Sequence, residues 1–376
     1  MAAPKQVALQ RPPRDVRLDV LRGWLQVSIF IAHAFGAIWF WGIHASWGVS
    51  DSSEQFVLLS GLALGSVFTL KRARDGFGAA LRDLLLRIRR LYLTHVVVFV
   101  LFAAMVFWAR MTSPVPPEAV GWGWLAEDPL RAIGGMLVLL YQPAFMDILP
   151  LFVFCMLLLA PFLWLLERLG DRALLLPFAL YAATQVFGLT PPGLGGTEIG
   201  FDPFAWQLLF LLGAWLGRRA LLGAAPLPRH PALFVLAGVV VAAGLWVKLG
   251  HYGWVVPAPA LLEDAAHKPV LGPLRLAHAL ALAWLVAVVV PRDAPWMHGM
   301  VPRVLALIGQ HSLHVFCLGL FLSWGVASAL ALHPGGAWWL ELLLIPAGTA
   351  ALAGFAAMLD RRRQPARRAR LANQRC

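Results

Sequence analysis

An all-α, polytopic integral membrane protein with about ten transmembrane helices and both termini cytoplasmic is the predicted fold class, and three observations predict it. Of the 376 residues, 60% are hydrophobic and 13% charged, whereas a soluble domain carries roughly a quarter charged residues. The apolar runs recur along the whole chain, which leaves no room for a large soluble domain. Lys and Arg gather in alternate connections, as the positive-inside rule requires.

A hydrocarbon core needs roughly 20 apolar residues per helix. Runs near 20–41, 56–70, 91–109, 145–166, 173–189, 204–216, 231–249, 271–290, 304–332 and 338–359 supply the ten expected spans. The second and sixth are short, and their polar flanks continue them toward a protein-lined cavity. The segment 131–141 is apolar but too short to cross, so it reads as interfacial or re-entrant. With the amino terminus inside, only Arg110, Arg131, Lys248, Lys268 and Arg275 among the basic residues fall on the outer side. Asp51, Glu54, Asp147, Glu198 and Asp202 fall there too. The chain divides into a cytoplasmic basic arm (1–19), a membrane domain (20–359) and a cytoplasmic basic tail (360–376) that touches anionic lipid.

The net charge of +12 is distributed as a topology signal, which argues against a nucleic-acid partner. Three cysteines give no disulfide framework: Cys155 and Cys317 lie inside apolar runs and Cys376 ends the tail. The first apolar run follows a charged arm and lacks a small-residue cleavage site, so no cleavable signal peptide is expected.

Chemistry is concentrated in a few polar stretches. The first helix opens Arg17-Leu-Asp19-Val-Leu-Arg22-Gly23 and reaches His33. Eleven residues at 1.5 Å each place His33 about 16 Å beyond Arg22, roughly halfway through a bilayer. A histidine at that depth needs a polar partner or a wet cavity; a packing histidine bonded to a carbonyl is the alternative. The run Asp51-Ser-Ser-Glu54-Gln-Phe-Val-Leu-Leu-Ser60-Gly61 puts two acids on one face of a helix start, which would also suit simple capping. Ser60-Gly61 would equally suit close helix packing. Arg87 and Arg90 lie three apart on one face and form a fork suited to phosphates, or a plain topology signal.

Three outer clusters follow: Tyr141-Gln142-Pro-Ala-Phe-Met-Asp147, Asp202-Pro-Phe-Ala-Trp206-Gln207 and Lys268-Pro-Val-Leu-Gly-Pro-Leu-Arg275. Aromatic and amide side chains beside acids suit a sugar. An interfacial aromatic belt explains the tryptophans but not Gln207, Lys268 and Arg275. His311 and His314 share a helical face as packing residues. No histidine shows zinc-ligand spacing with an acid or cysteine, so no metal is expected.

Taken in order, these stretches resemble the OpgC family, and more distantly the family-three membrane acyltransferases. The resemblance rests on the Arg-Leu-Asp…Arg-Gly opening, the Arg22-to-His33 spacing, the Asp…Glu-x-Phe-Val-x-x-Ser-Gly run and the paired arginines. The Met-Asp-Ile-Leu-Pro, Asp-Pro-Phe-Ala-Trp-Gln and Lys…Leu-Gly-Pro-Leu-Arg segments complete it. Asp147 and Asp202 depart from it, since asparagine is expected there in many relatives. The resemblance implies a multi-pass protein of the bacterial inner membrane. It would move an acyl group, succinyl favoured over acetyl, from cytoplasmic acyl-CoA to a periplasmic glucan, with acyl-CoA as donor substrate and no permanently bound cofactor. On that reading His33 is the general base, oriented by Asp51 or Glu54. Arg22, Arg87, Arg90, Ser60 and Gly61 meet the donor. Gln142, Asp147, Asp202, Trp206, Gln207, Lys268 and Arg275 meet the sugar. The competing expectations are an acetyltransferase acting on another extracytoplasmic polysaccharide and a polytopic solute transporter, since polar residues inside helices also mark transport paths, yet no inverted repeat is evident.

Overall fold

The computed structural model describes residues 15–34, 36, 38–112, 121–225, 227–292, 294–333 and 338–373, with the helix path alone for 364–373. The amino-terminal arm up to residue 14 and Cys376 lie outside the described residues. The described residues form helices without strands: α1 (Val16–His33), α2 (Ser52–Asp75), α3 (Phe77–Thr112), α4 (Gly123–Glu127), α5 (Pro129–Leu137), α6 (Ile148–Leu169), α7 (Leu175–Phe187), α8 (Pro203–Leu221), α9 (Pro231–His251), α10 (Ala260–Ala265), α11 (Pro273–Val289), α12 (Met300–Gln310), α13 (Ser312–Ala331) and α14 (Trp338–Asn373).

Six helical stretches among the described residues, rather than ten, are long and apolar enough to cross a membrane by length and composition. They are Ser52–Asp75, Phe77–Thr112, Ile148–Phe187, Pro231–His251, Ser312–Ala331 and Trp338–Arg363. The differences from the ten expected spans have local causes. The sixth and seventh helices run on through a 3-10 turn (Gly170–Leu174) as one apolar stretch. The run 304–332 is two helices meeting at His311. α11 is 17 residues long. α1 carries Arg17, Asp19 and Arg22 within its 18 residues. It also stops at His33, eight residues short of the expected end. The chain then follows two 3-10 turns (Trp39–Gly42 and His44–Ser46) into α2. Non-helical backbone in such a place is tolerated where it lines a protein cavity.

The short apolar segment is α5, whose amino end is capped by the Asp128 carboxylate accepting from the Arg131 N–H at 3.2 Å. It buries Ala132, Gly135 and Met136. Its nine residues are about 13 Å long, too short to cross.

Without a hydrophobic drive between helices in lipid, association rests on close packing, which small residues permit. Two seams show it. Between α2 and α8, a Cβ at Gly61 or Gly65 would run into the backbone of Phe210 or Ala214, and one at Gly213 or Gly217 into that of Leu58 or Leu62. Between α1 and α12, Gly23 faces the Leu305 carbonyl and Gly309 that of Asp19. Around α3, the rings of Phe102 and Trp122 stack with centroids 5.7 Å apart and planes 19° apart, both fully buried.

Candidate active site

The site is assembled where α2 begins. Asp51 is the N-cap: its carboxylate accepts from the Ser53 N–H at 2.8 Å, and the Glu54 carboxylate accepts from the Asp51 N–H at 2.7 Å. This reciprocal capping box satisfies two orphan donors of the helix start. It also presents two carboxylates to the neighbouring loop. Lys268 donates to Asp51 at 2.6 Å, and Arg275 donates to Glu54 at 2.7 Å while standing 3.9 Å from Asp51. Glu54 is fully buried. Burial alone would raise the Asp51 carboxyl, but the Lys268 and Arg275 charges outweigh it and hold that carboxyl well below the usual range. Burial likewise opposes the Lys268 ammonium, yet Asp51 and Glu54 raise it above its ordinary value.

The Lys268 loop is held by its carbonyls. Pro269 accepts from the Asp202 N–H at 2.8 Å and the Trp206 indole N–H at 3.0 Å. Val270 accepts from the Gln185 amide at 2.8 Å and Leu271 from the Tyr181 hydroxyl at 2.9 Å. Leu271 sits at φ 48°, a conformation that costs a bulky residue about 1–3 kcal/mol unless its surroundings over-determine it. Four donors from α7 and the start of α8 do so.

That framework revises several expected roles. Trp206 is fully buried and spends its indole N–H on the loop, so it positions Lys268 rather than stacking on a sugar. Asp202 caps α8, accepting from the Phe204 N–H at 2.9 Å. Gln207 donates to the Pro177 and Phe204 carbonyls at 2.9 and 3.1 Å, tying α7 to α8. Gln142 donates to the Leu139 carbonyl at 2.8 Å. Arg22 donates to the Leu59 carbonyl at 2.8 Å, joining α1 to α2. Gly61 serves the α2–α8 seam. Each of these side chains is engaged by a backbone group through at least one polar atom.

Apart from Glu54, which is buried beneath Arg275, the remaining candidates line one cavity of about 680 Å³. One end holds Asp51, Lys268 and Arg275, the other Arg87 and Arg90, with His33, Ser60 and Asp147 between. From Asp51 to Leu64, both on its wall, the cavity follows α2 for about 20 Å at 1.5 Å per residue. Its middle is apolar, lined by Ile29, Phe56, Phe145 and Phe152. Arg87 and Arg90 are exposed, and Arg87 is braced by Asp83 at 2.9 Å.

His33 is the last residue of α1, and its Nδ1 lies 2.8 Å from the Ile29 carbonyl oxygen. A carbonyl only accepts, so in the neutral imidazole Nδ1 carries the proton and Nε2 the lone pair. The orienting partner is thus the helix itself, while Asp51 and Glu54 face Lys268 and Arg275. Two neighbours of His33 were not assigned to it by sequence reasoning. The Phe145 ring packs 5.4 Å from the imidazole, and Phe145 holds φ 72°, rare for a bulky residue. Asp147 is near enough for an imidazolium to attract it. Burial pushes the Asp147 carboxyl up, against the attraction of His33 and Lys268. The signal for both lay in the Phe-Met-Asp segment, but nothing in it announced a positive φ.

Among the described residues, no three His, Cys, Asp or Glu side chains converge as a metal site requires. What the arrangement offers is a lone-pair nitrogen in an apolar passage, with cations at one end and a mixed charge cluster at the other.

The family model described as OpgC protein matches residues 14–364. The chain belongs to the OpgC family. No curated protein and no solved structure matches it. Family membership points in general terms to acyl transfer with a glucan acceptor. The OpgC-family match spans every wall of the cavity, from His33 on α1 to Leu320 on α13.

Proposed function

We propose that this protein transfers an acyl group, succinyl favoured, from cytoplasmic acyl-CoA to a hydroxyl of a periplasmic glucan, with His33 as general base. The observation that carries the reading is His33 Nε2, whose lone pair is left free by the Nδ1 bond to Ile29, on the wall of a cavity with arginines at one end and charged groups at the other. On this reading Arg87 and Arg90 face the cytoplasm and hold the phosphates of CoA, and the thioester arm runs inward along the apolar passage. The acceptor enters from the end lined by Asp51, Lys268 and Arg275. There the cationic groups also suit the free carboxylate of a succinyl chain.

The steps balance simply. The acceptor hydroxyl gives its proton to Nε2 as its oxygen attacks the thioester carbonyl. The tetrahedral intermediate expels the CoA thiolate, which takes the proton back from the imidazolium. Asp147 stabilises that transient cation. General-base catalysis of this kind is worth about 10²–10⁴ in rate, so His33→Ala is expected to lower kcat by that factor with donor KM little changed. The experiment is radiolabelled succinyl-CoA or acetyl-CoA offered to purified protein with a glucan. Normal transfer by folded His33→Ala protein would overturn the assignment.

A further inference from the structure

At the acceptor end, the cavity wall formed by Phe40, Gly48 and Lys248 adjoins a cluster of aromatic rings that the reaction just described does not use. The 3-10 segment after α1 and the carboxyl end of α9 contribute it. Trp41 and Trp254 stack 5.1 Å apart with planes 20° apart. Trp47 leans against both, at 5.7 and 6.5 Å, tilted 53° and 59°. Tyr252 closes the back, 5.0 Å from Trp41 and 5.4 Å from Trp254. The three indoles remain 36%, 45% and 58% exposed for Trp41, Trp47 and Trp254, so ring surface is left for a ligand. They are also fixed in place: the Trp47 indole N–H donates to the Trp41 carbonyl at 2.9 Å, and the Tyr252 hydroxyl to the Ser46 carbonyl at 3.0 Å.

An interfacial belt explains tryptophans at the headgroup level, but not their packing into one cluster beside a cavity. These three pack on one another from two distant segments and connect to the cavity. The link is Lys248, which lines the cavity and places its ammonium 5.9 Å from the Phe40 ring and 5.7 Å from the Tyr252 ring. Phe40, Ala45, Gly48 and Val49, interleaved with Trp41 and Trp47 in sequence, line the same cavity. His251 and Glu263, hydrogen-bonded to each other at the end of α9, add a polar rim.

A pyranose ring carries axial C–H groups on its faces and hydroxyls on its edge. The C–H faces pack on the electron-rich face of an indole, while hydroxyls need donors and acceptors at the rim. We propose that Trp41, Trp47 and Trp254 form a stacking platform for glucose units of the acceptor that lie outside the cavity, so that the glucan chain is held while one of its hydroxyls reaches His33. This rests on the glucan-acceptor reading above. The platform selects for a polymer: a single glucose that reaches the base cannot cover it.

The test is purified protein carrying Trp254→Ala, and the double variant Trp41→Ala/Trp254→Ala, with Trp254→Tyr as the conservative control. Two measurements are made. Direct binding of glucose oligomers is measured without donor, and steady-state acyl transfer is measured with glucose or with the oligomers as acceptor. The alanine variants are expected to weaken oligomer binding and raise oligomer KM about tenfold, equivalent to about 1.4 kcal/mol. Donor KM, kcat at saturating oligomer and transfer to glucose stay unchanged, and Trp254→Tyr retains most of the affinity. Unchanged oligomer binding and KM in a folded double variant would overturn the platform, even with transfer intact. If wild-type protein binds oligomers through these rings but transfers nothing to them, the reaction reading falls and the platform stands. A wild-type protein that binds no oligomer sinks the platform outright.

Discussion

Replacing Arg275 with Met should destabilise the protein more than replacing its partner Glu54 with Gln, and the double replacement should recover much of the loss. The reason is an asymmetry in what each leaves behind. Glu54 is fully buried and accepts from Arg275 at 2.7 Å, so Arg275→Met strands a carboxylate in a place without solvent. Removing one partner of a buried ion pair costs about 3–5 kcal/mol, because the other charge is left uncompensated. Arg275, in contrast, keeps the Asp51 carboxylate at 3.9 Å and the Ala266 carbonyl at 2.9 Å when Glu54 becomes Gln. With both changes made, no uncompensated charge remains. Unfolding entropy of about 2.1 cal/mol/K per residue over 376 residues turns a loss of 3–5 kcal/mol into a fall of about 4–6 °C in midpoint. The assay is thermal unfolding of detergent-purified single and double variants. One scan rate serves all four proteins, since an irreversible midpoint depends on it. A double variant whose midpoint falls by the sum of the single losses would refute the reasoning, because independent sites add and a paired buried charge does not.

Three further outcomes follow from the same geometry. Asp147→Asn removes the carboxylate that stabilises the transient imidazolium of His33, so kcat should fall with donor KM unchanged; an unchanged kcat in folded protein counts against Asp147 as its charge partner. Arg87→Gln and Arg90→Gln should raise the KM for acyl-CoA about tenfold each, with a weaker dependence on salt than the parent and no change in glucan KM, as read from initial rates at several ionic strengths. Trp206→Phe removes the indole donor from the Lys268 and Pro269 carbonyls, which keep the Leu271 and Asp202 N–H groups, at a cost of about 0.5–1.5 kcal/mol; it should lower thermal stability and raise glucan KM while donor KM holds.

Much of the site was legible because polar residues in apolar runs have few reasons to exist. His33, Asp51, Lys268, Arg275, Arg87, Arg90, Ser60 and Asp147 all line one cavity, and the unbroken helix from Arg22 to His33 keeps the separation of about 16 Å that the helix rise gives. What sequence could not give was which polar atoms would be consumed internally. Trp206, Asp202, Gln207 and Gln142 look like sugar ligands as residue types, yet each commits one polar atom to a backbone carbonyl or an N-cap, and only the fold decides that. The ten expected spans and the six long apolar helices differ where helices break. The breaks are only faintly marked: Gly36 follows His33 by three residues, and Gly309-Gln-His-Ser interrupts a run that is apolar on both sides. The strained Phe145 and Leu271 are equally silent in sequence, because positive φ there is enforced by surrounding packing and by donors from α7 and α8.

The end of α1 bears most on the choice between transfer and transport. A solute carrier offers one site to each side in turn, and that site is built to hold the same solute from either direction. Here the two ends of one passage differ in kind: exposed arginines at one, and at the other a cluster in which two acids already pair with two bases. The first suits a polyanion that stays outside the passage, the second a ligand of many weak dipoles. Between them stands a nitrogen with one proton fixed by its own helix and one lone pair free. Moving a solute through does not call for that tautomer. Accepting a proton from a hydroxyl does, and because α1 stops at His33 the imidazole stands at the helix end rather than along its flank.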